Sequence, residues 1–414
     1  MEIPFNATGS GWPDEVHFSV YTEKVPGEGE DSEPLLVVGH DRSMVGVFDG
    51  LGGAGGTTYD TPGGRHSGAW FASRVAVDVV AGHLPEIVGS VPDVDGARAA
   101  AELHDRLQDA LGRRLAEFGA AKSGLRSRLL RALPTTMAVA FLARAEPAAA
   151  DWVAHAFWAG DSRVYAVDPT TGAHQLTDDD LRSSHDALQN LVDDSVIDNC
   201  LSADTGFRIN YRRVGLTAPF MVIAASDGCF GYVASPMHFE HLVLAHLDAA
   251  GSVDGWRAGL MAAVEAVAGD DATMALVAVG GDFAAVRAAF QPRLEQLRGT
   301  YIQPLDDIEE QTRTTVQRAA ELRQQRLALR SELWSRYKPD YECFLPEPPT
   351  EGHAFRAADA CQALTGDPPA PAEEPAAAVA QASPVTPDAP EPAAAPEPAD
   401  SDGTGEQTNE MRMR

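Results

Sequence analysis

Four acidic residues stand where apolar runs end or begin. Asp49 closes the run in VGVFDGLGG, Asp161 follows WVAHAFWAG, Asp227 follows MVIAAS, and Asp270 comes just before ATMALVAV. Glu30 and Asp31, in GEGEDSEPLLVVG, come one strand ahead of Asp49. Taken singly, an Asp-Gly after a strand is most simply a turn, and GDSR a hairpin with a surface ion pair. Repetition changes that reading. Carboxylates that end several strands of one sheet meet at its edge, where they repel and raise one another's pKa values. A hard divalent cation such as Mg²⁺ or Mn²⁺ relieves that repulsion and prefers oxygen ligands. The four cysteines are scattered without a CxxC pair, so a zinc site of the usual kind is disfavoured. A carboxylate-held metal pair fits hydrolysis of a phosphate ester by an activated water.

The elements that must position these groups are legible. HFSVYT, PLLVV, MVGVF, TTMAVAFLAR, WVAHAFWAG, RVYAV, PFMVIAAS and ATMALVAV are short, apolar and rich in β-branched residues, as strands are. SGAWFASRVAVDVVAGHL and GARAAAELHDRLQDALGRRLAEFGAAK carry helical spacing, the second with a capped start at DGARAAAE, and a third helical block covers about Met237 to Val267. The order predicts an α+β fold: a central β-sandwich of two antiparallel sheets flanked by helical layers. Three segments are expected: a catalytic domain over 1–281, a helical extension over 282–345, and a disordered Pro/Ala/acidic tail over 346–414. In the extension, Phe283, Val286, Phe290, Leu294, Leu297 and Tyr301 form a stripe that Pro292 and Pro304 should break or kink.

The motifs EDS, VFDGLGG, PTTMAVAFL, AGDSRVYAV, QLTDDD, AASDGCFGYV and GDDATMALV stand in an order that resembles the metal-dependent Ser/Thr protein phosphatases of type 2C, the PPM class, over roughly residues 12–281. The resemblance implies two Mg²⁺ or Mn²⁺ ions, with Asp49 bridging them. The Gly50 carbonyl and Glu30 would serve the second ion, with Asp31 as companion to Glu30, and Asp227 and Asp270 would complete the first. A water bridging the metals would attack phosphorus in line, which makes Asp49, Asp227 and Asp270 the catalytic positions. Thr136 and Thr177 take structural roles.

Four departures from the pattern stand out. Leu51 replaces the histidine of many eukaryotic members, as in bacterial ones, which leaves the general acid unassigned; His40 and His66 are the nearest histidines in sequence. Gly231 stands where an aspartate would help Asp161 hold a third metal, so Asp161 is a candidate either for that ion or for a structural role. Pro26 occupies the place of the phosphate-gripping arginine, and Lys24 is the nearest candidate to bind phosphate, as a point charge without the bidentate fork. Asp271 replaces a common asparagine. Residues 178–205 take the place of the family's variable flap.

Charge limits the partners. With 61 acidic and 32 basic residues the net charge is −29, which disfavours nucleic acid and anionic membrane. No apolar run approaches the ~20 residues of a membrane span, and the N-terminus lacks a signal-peptide pattern, so a cytoplasmic location is expected. The expected activity is that of a protein serine/threonine phosphatase, with phosphoproteins and a cognate Ser/Thr kinase as partners. The alternative is a non-catalytic phosphatase-like module that regulates or binds phosphoproteins. The C-terminal helix is the candidate for a partner contact or self-association.

Overall fold

The computed structural model describes residues 15–39, 41–89, 94–118, 131–145, 151–182, 186–191 and 196–345. Twelve strands are seen among these: β1 (Glu15–Thr22), β2 (Leu35–Val38), β3 (Arg42–Val47), β4 (Thr58–Thr61), β5 (Gly64–Ser67), β6 (Met137–Arg144), β7 (Asp151–Ala159), β8 (Arg163–Asp168), β9 (Gly172–Gln175), β10 (Asn210–Thr217), β11 (Phe220–Ala225) and β12 (Ala272–Val279). One sheet has the order β1-β12-β11-β8-β9, the other β10-β7-β6-β3-β2, and β4-β5 is a separate hairpin. All pairings are antiparallel. The expected α+β sandwich is therefore present.

The central strands read as continuous apolar runs because both of their faces are covered. On β12, Ala275, Val277 and Val279 join a core between the sheets, while Met274, Leu276 and Ala278 join an outer core. On β6, Ala138, Ala140 and Leu142 face the inter-sheet core, and Met137, Val139 and Phe141 the opposite outer core. This is the strand period of two applied to a four-layer stack.

Two helices cover the second sheet: α2 (Gly68–Val88), after the single turn α1 (Gly52–Gly55), and α3 (Gly96–Glu117). Phe71, Ala76, Val80 and Leu84 of α2 and Leu103, Leu107 and Leu111 of α3 are buried there, at helical spacing. Asp95 caps α3 as expected, accepting the Arg98 amide at 3.1 Å. The first sheet is covered by α5 (Pro236–Ala249), α6 (Val253–Val267) and α7 (Phe283–Leu297), after the short α4 (Asp227–Phe230).

Three expectations are corrected. The helical block over 237–267 is two helices, because the chain turns at Gly251 and the Ser252 hydroxyl caps α6 on the Gly255 amide at 3.1 Å. Pro292 does not break α7: Val286, Phe290, Leu294 and Leu297 stay buried on one face, and that packing outweighs the lost hydrogen bond. Pro304 does not end the helix either. A π turn over Arg298–Ile302 immediately precedes it, and the chain continues as α8 (Gln303–Tyr341). The helical stripe assigned to the extension thus contributes to the sandwich's outer core, although Tyr301 at its end is exposed.

Two compact units divide the described residues at Glu309 and Glu310. In the second, the helical residues from Glu310 onward are exposed. Among the described residues no helix is long and apolar enough to cross a membrane. The expected tail over 346–414, His40 and parts of the expected flap over 178–205 (183–185 and 192–195) lie outside the described residues.

Candidate active site

Five loops bring the acidic residues to one edge of the sandwich. Glu30 and Asp31 lie between β1 and β2, Asp49 just after β3, Asp161 between β7 and β8, Asp227 at the start of α4, and Asp270 and Asp271 just before β12. Two glycines make the approach possible. A Cβ on Gly52 would overlap the Glu30 carboxylate, and one on Gly228 would overlap the Asp271 carbonyl.

Hydrogen bonds fix the frame. The Asp271 carboxylate accepts the Glu30 amide at 2.6 Å and the Lys24 amide at 2.9 Å, so the aspartate that replaces an asparagine clamps the β1–β2 loop. The Asp271 amide in turn donates to the Asp270 carboxylate at 2.9 Å. Ser67 donates to the Glu30 carboxylate, and Ser73 to the Glu30 carbonyl at 2.6 Å. The Asp49 carbonyl accepts the Thr136 amide at 2.8 Å and the Thr135 hydroxyl at 2.7 Å. Thr136 also shares a 2.7 Å hydrogen bond with Ser162, and the Thr177 hydroxyl accepts the Val164 amide at 3.2 Å, both framework roles. The Gly50 carbonyl accepts the Gly52 amide at 2.9 Å, closing the turn below Asp49.

The carboxylates feel one another. Burial, followed by Asp31, Asp227 and Asp161, holds the Asp49 carboxyl well above the usual range. Asp227 is itself raised, chiefly by burial and also by Asp270. Burial is again the first cause for Asp161, pushed up to about 8 with help from Asp227 and Asp179; its Oδ1 is buried without a hydrogen-bond partner among the described residues. Glu30 is raised by burial and by Asp271 and Asp270.

Asp31 is only 2% exposed and accepts hydrogen bonds from Thr273 at 2.7 Å and Ser226 at 3.1 Å. Burial, with Asp227 and Asp271, pushes its carboxyl up to about 7. A carboxyl whose folded pKa lies above its unfolded value holds a proton more tightly in the native state, so stability falls as pH rises from about 4 through the folded pKa. In chelator, the protein is expected to melt at progressively lower temperature from pH 5 to pH 8. Asp31→Asn should flatten that slope; an unchanged slope would remove Asp31 as its source.

The donor chemistry fits a hard divalent cation: the acidic residues that meet at this edge offer oxygen. Yet among the described residues no three of the carboxylates are drawn into a finished metal cage. The residues of the expected dinuclear set are brought to one edge.

Other sequence candidates fall differently. Lys24 is exposed, and its backbone amide, held by Asp271, is what ties it to the site. His66 lies on β5, and its ring stacks on Trp70 at 3.9 Å. Asp161 does not orient Arg163, which is gripped by Asp179 through two hydrogen bonds of 2.6 and 2.9 Å and lies over Phe230 at 4.4 Å. Asp180 pins the root of the flap, accepting the Gly160 amide at 3.1 Å, Asn199 at 2.6 Å and Asn210 at 2.8 Å. Gly231 closes the turn of α4 through its amide to the Asp227 carbonyl.

One cation of the site was not expected. Arg74, on α2, donates to the carbonyls of Gly29 and Glu30, each at 3.2 Å, and lies 4.1 Å over the Trp70 ring. Burial lowers its pKa, while Tyr21 and Asp31 oppose that shift. Its fork sets the backbone that carries Glu30. In sequence it reads as one more polar position on an amphipathic helix.

No family model matches the chain, and no curated protein does. Among solved structures the chain is similar to the Mycobacterium tuberculosis serine/threonine phosphatase PstP/Ppp, at 16% identity over 64% of this chain and 99% of that one, with a TM-score of 0.44. It is also similar to the PstP catalytic domain in complex with two manganese ions, at 15% identity, over 64% and 99%, TM-score 0.43. The Staphylococcus aureus serine/threonine phosphatase Stp1 is similar at 16% identity, over 68% and 100%, TM-score 0.44.

Proposed function

We propose that the chain is a metal-dependent protein serine/threonine phosphatase that hydrolyses phosphoserine and phosphothreonine, in the cytoplasm, on phosphoproteins made by a cognate kinase. The observation that carries the proposal is the meeting of Glu30, Asp31, Asp49, Asp161, Asp227 and Asp270 at one edge, where they raise one another's pKa values. Such an arrangement costs stability unless positive charge is supplied. The motif order in the sequence supplies the reaction class.

Glu30, Asp49, the Gly50 carbonyl, Asp227 and Asp270 would hold two Mg²⁺ or Mn²⁺ ions, which when bound lower the pKa of a water and offset phosphate charge. Around that centre the chain's own groups orient and brace. Arg74, Ser67 and Asp271 set Glu30; Thr135 and Thr136 set Asp49; Ser226, just after β11, and Thr273, on β12, hold Asp31. Lys24 stands on the loop that Asp271 clamps, within the segment that would meet the phosphate.

The second reading, a regulatory or phosphoprotein-binding module, is favoured by Pro26 in place of the phosphate arginine. Phosphate release from phosphothreonine and phosphoserine peptides, with Mn²⁺, with Mg²⁺ and with chelator, separates the two. The phosphatase reading expects release that requires metal. Absence of release from peptides and from small aryl phosphates, with metal bound, would leave the regulatory module.

A further inference from the structure

The hairpin β4–β5 has both of its roots in the candidate active site. The chain leaves from Asp49 and Gly50 through α1 and returns at Ser67. The Ser67 hydroxyl donates to the Glu30 carboxylate and accepts the Trp70 amide at 3.1 Å, which starts α2. Between the tip of this hairpin, the first turn of α2 and the last turn of α3 lies a cavity of about 560 Å³. That is the size of a ligand pocket rather than of a packing defect.

The charges of the pocket are largely spent on one another. Arg114 and Glu117 pair at 2.7 Å, and the guanidinium lies 4.7 Å over Phe71 and 5.0 Å over Phe118. What remains to be used is ring surface. His66, Trp70 and Phe118 line the cavity and are only half-buried, although His66 stacks on Trp70 at 3.9 Å and Phe118 on Tyr59 at 4.2 Å. Walls of this kind take an apolar side chain, and an aromatic ring gains most, by stacking or by meeting them edge to face.

Position says where that side chain comes from. His66, in the wall, is the residue next to Ser67, which touches Glu30. The Trp70 ring also lies 4.1 Å from the Arg74 guanidinium, which donates to the Gly29 and Glu30 carbonyls, so the wall and the Glu30 loop are braced together. An extended peptide advances about 3.3 Å per residue, so one that presents a phosphorylated residue to the carboxylate edge carries a side chain about two to four positions away to the pocket.

We propose that this pocket is a specificity subsite, which takes a bulky apolar side chain, aromatic above all, flanking the phosphorylated residue of a phosphoprotein. The proposal rests on the reading of the carboxylate edge as a site that engages phosphoproteins. Selection then comes from the hairpin and α3, outside the carboxylate set.

The test compares phosphothreonine peptides that carry Phe, Leu, Ala or Glu at single positions on either side of the phosphorylated residue, with Mn²⁺ and the full chain. At one or two positions Phe should raise kcat/KM over Ala by on the order of ten- to a hundredfold, mainly through KM, the gain that burying such a side chain gives. Glu should give no gain. Gly63→Trp fills the pocket from the exposed hairpin tip, where a Cβ would make an ordinary 3.7 Å contact with Thr61. Phe118→Ala removes a wall, with its fold checked by circular dichroism. Both variants should bring the Phe peptide to within about threefold of the Ala peptide. Hydrolysis of p-nitrophenyl phosphate, which has no flanking residue, should stay as in wild type. Anisotropy of fluorescein-labelled forms of the same peptides reads the pocket without turnover. A Phe preference in binding with no phosphate release would support the pocket and overturn the phosphatase reading. No preference at any position in either measurement, as when another part of this chain fills the pocket, would overturn the proposal. So would a preference that survives both variants. With p-nitrophenyl phosphate still hydrolysed, such a failure belongs to the pocket alone.

Discussion

Asp227→Asn is expected to lower metal-dependent phosphate release by on the order of 10³-fold, since electrostatic support of this kind is worth several kcal/mol in the transition state. Asp227 is where the electrostatics of the edge converge: its charge raises the carboxyls of Asp31, Asp49 and Asp161, and Asp270 raises its own. The amide keeps the shape and removes one negative charge. Because the aspartate's own pKa is raised by burial, the variant in chelator should be no less stable than wild type, and its melting temperature should be equal or higher. Loss of activity with stability retained is the signature of a functional carboxylate rather than a structural one. Activity within tenfold of wild type would remove Asp227 from the site.

The second large effect falls on the fold beside the site. Arg163 and Asp179 form an ion pair in which both side chains are 2% exposed. Asp179 also accepts hydrogen bonds from Asn190 at 2.7 Å and Gln175 at 3.1 Å, so it joins β8, β9 and the flap. Asp179→Ala leaves a buried guanidinium uncompensated and should cost about 3–5 kcal/mol, a large share of the stability of a typical domain. Urea unfolding reads this as a lower midpoint. The double replacement Arg163→Met/Asp179→Leu removes both charges and should recover most of the loss, because a buried pair is worth little over apolar residues of similar volume. If the single variant costs less than about 1 kcal/mol, the pair behaves as a solvent-screened one and this account of the flap root is wrong.

What was legible in the sequence follows from where the physics is local. β6 and β12 could be read because strands covered on both faces carry unbroken apolar residues, and the acidic residues stood out because each sits at a strand end. β10 could not: NYRRVGLT alternates only weakly, since much of this edge strand is exposed. Arg74 and Ser67 were invisible for another reason. Their role exists only because the start of α2 meets the Glu30 loop more than thirty residues away in sequence. Asp31 could be paired with Glu30 by resemblance, but its burial against Ser226 and Thr273 is a fact of tertiary packing. Pro292 misled because a local rule was outweighed by an apolar stripe anchored in the core.

The most direct measurement is a calorimetric titration of the chelator-treated protein with Mn²⁺ at pH 7, repeated in buffers of different ionisation enthalpy. Carboxyls raised by burial and by one another must lose protons as a cation binds among them, so the account predicts saturable binding with net proton release. Asp49→Asn should lose most of the affinity and most of the protons. An absence of binding, or binding equally strong in Asp49→Asn, would contradict the claim that this sheet edge is a metal centre.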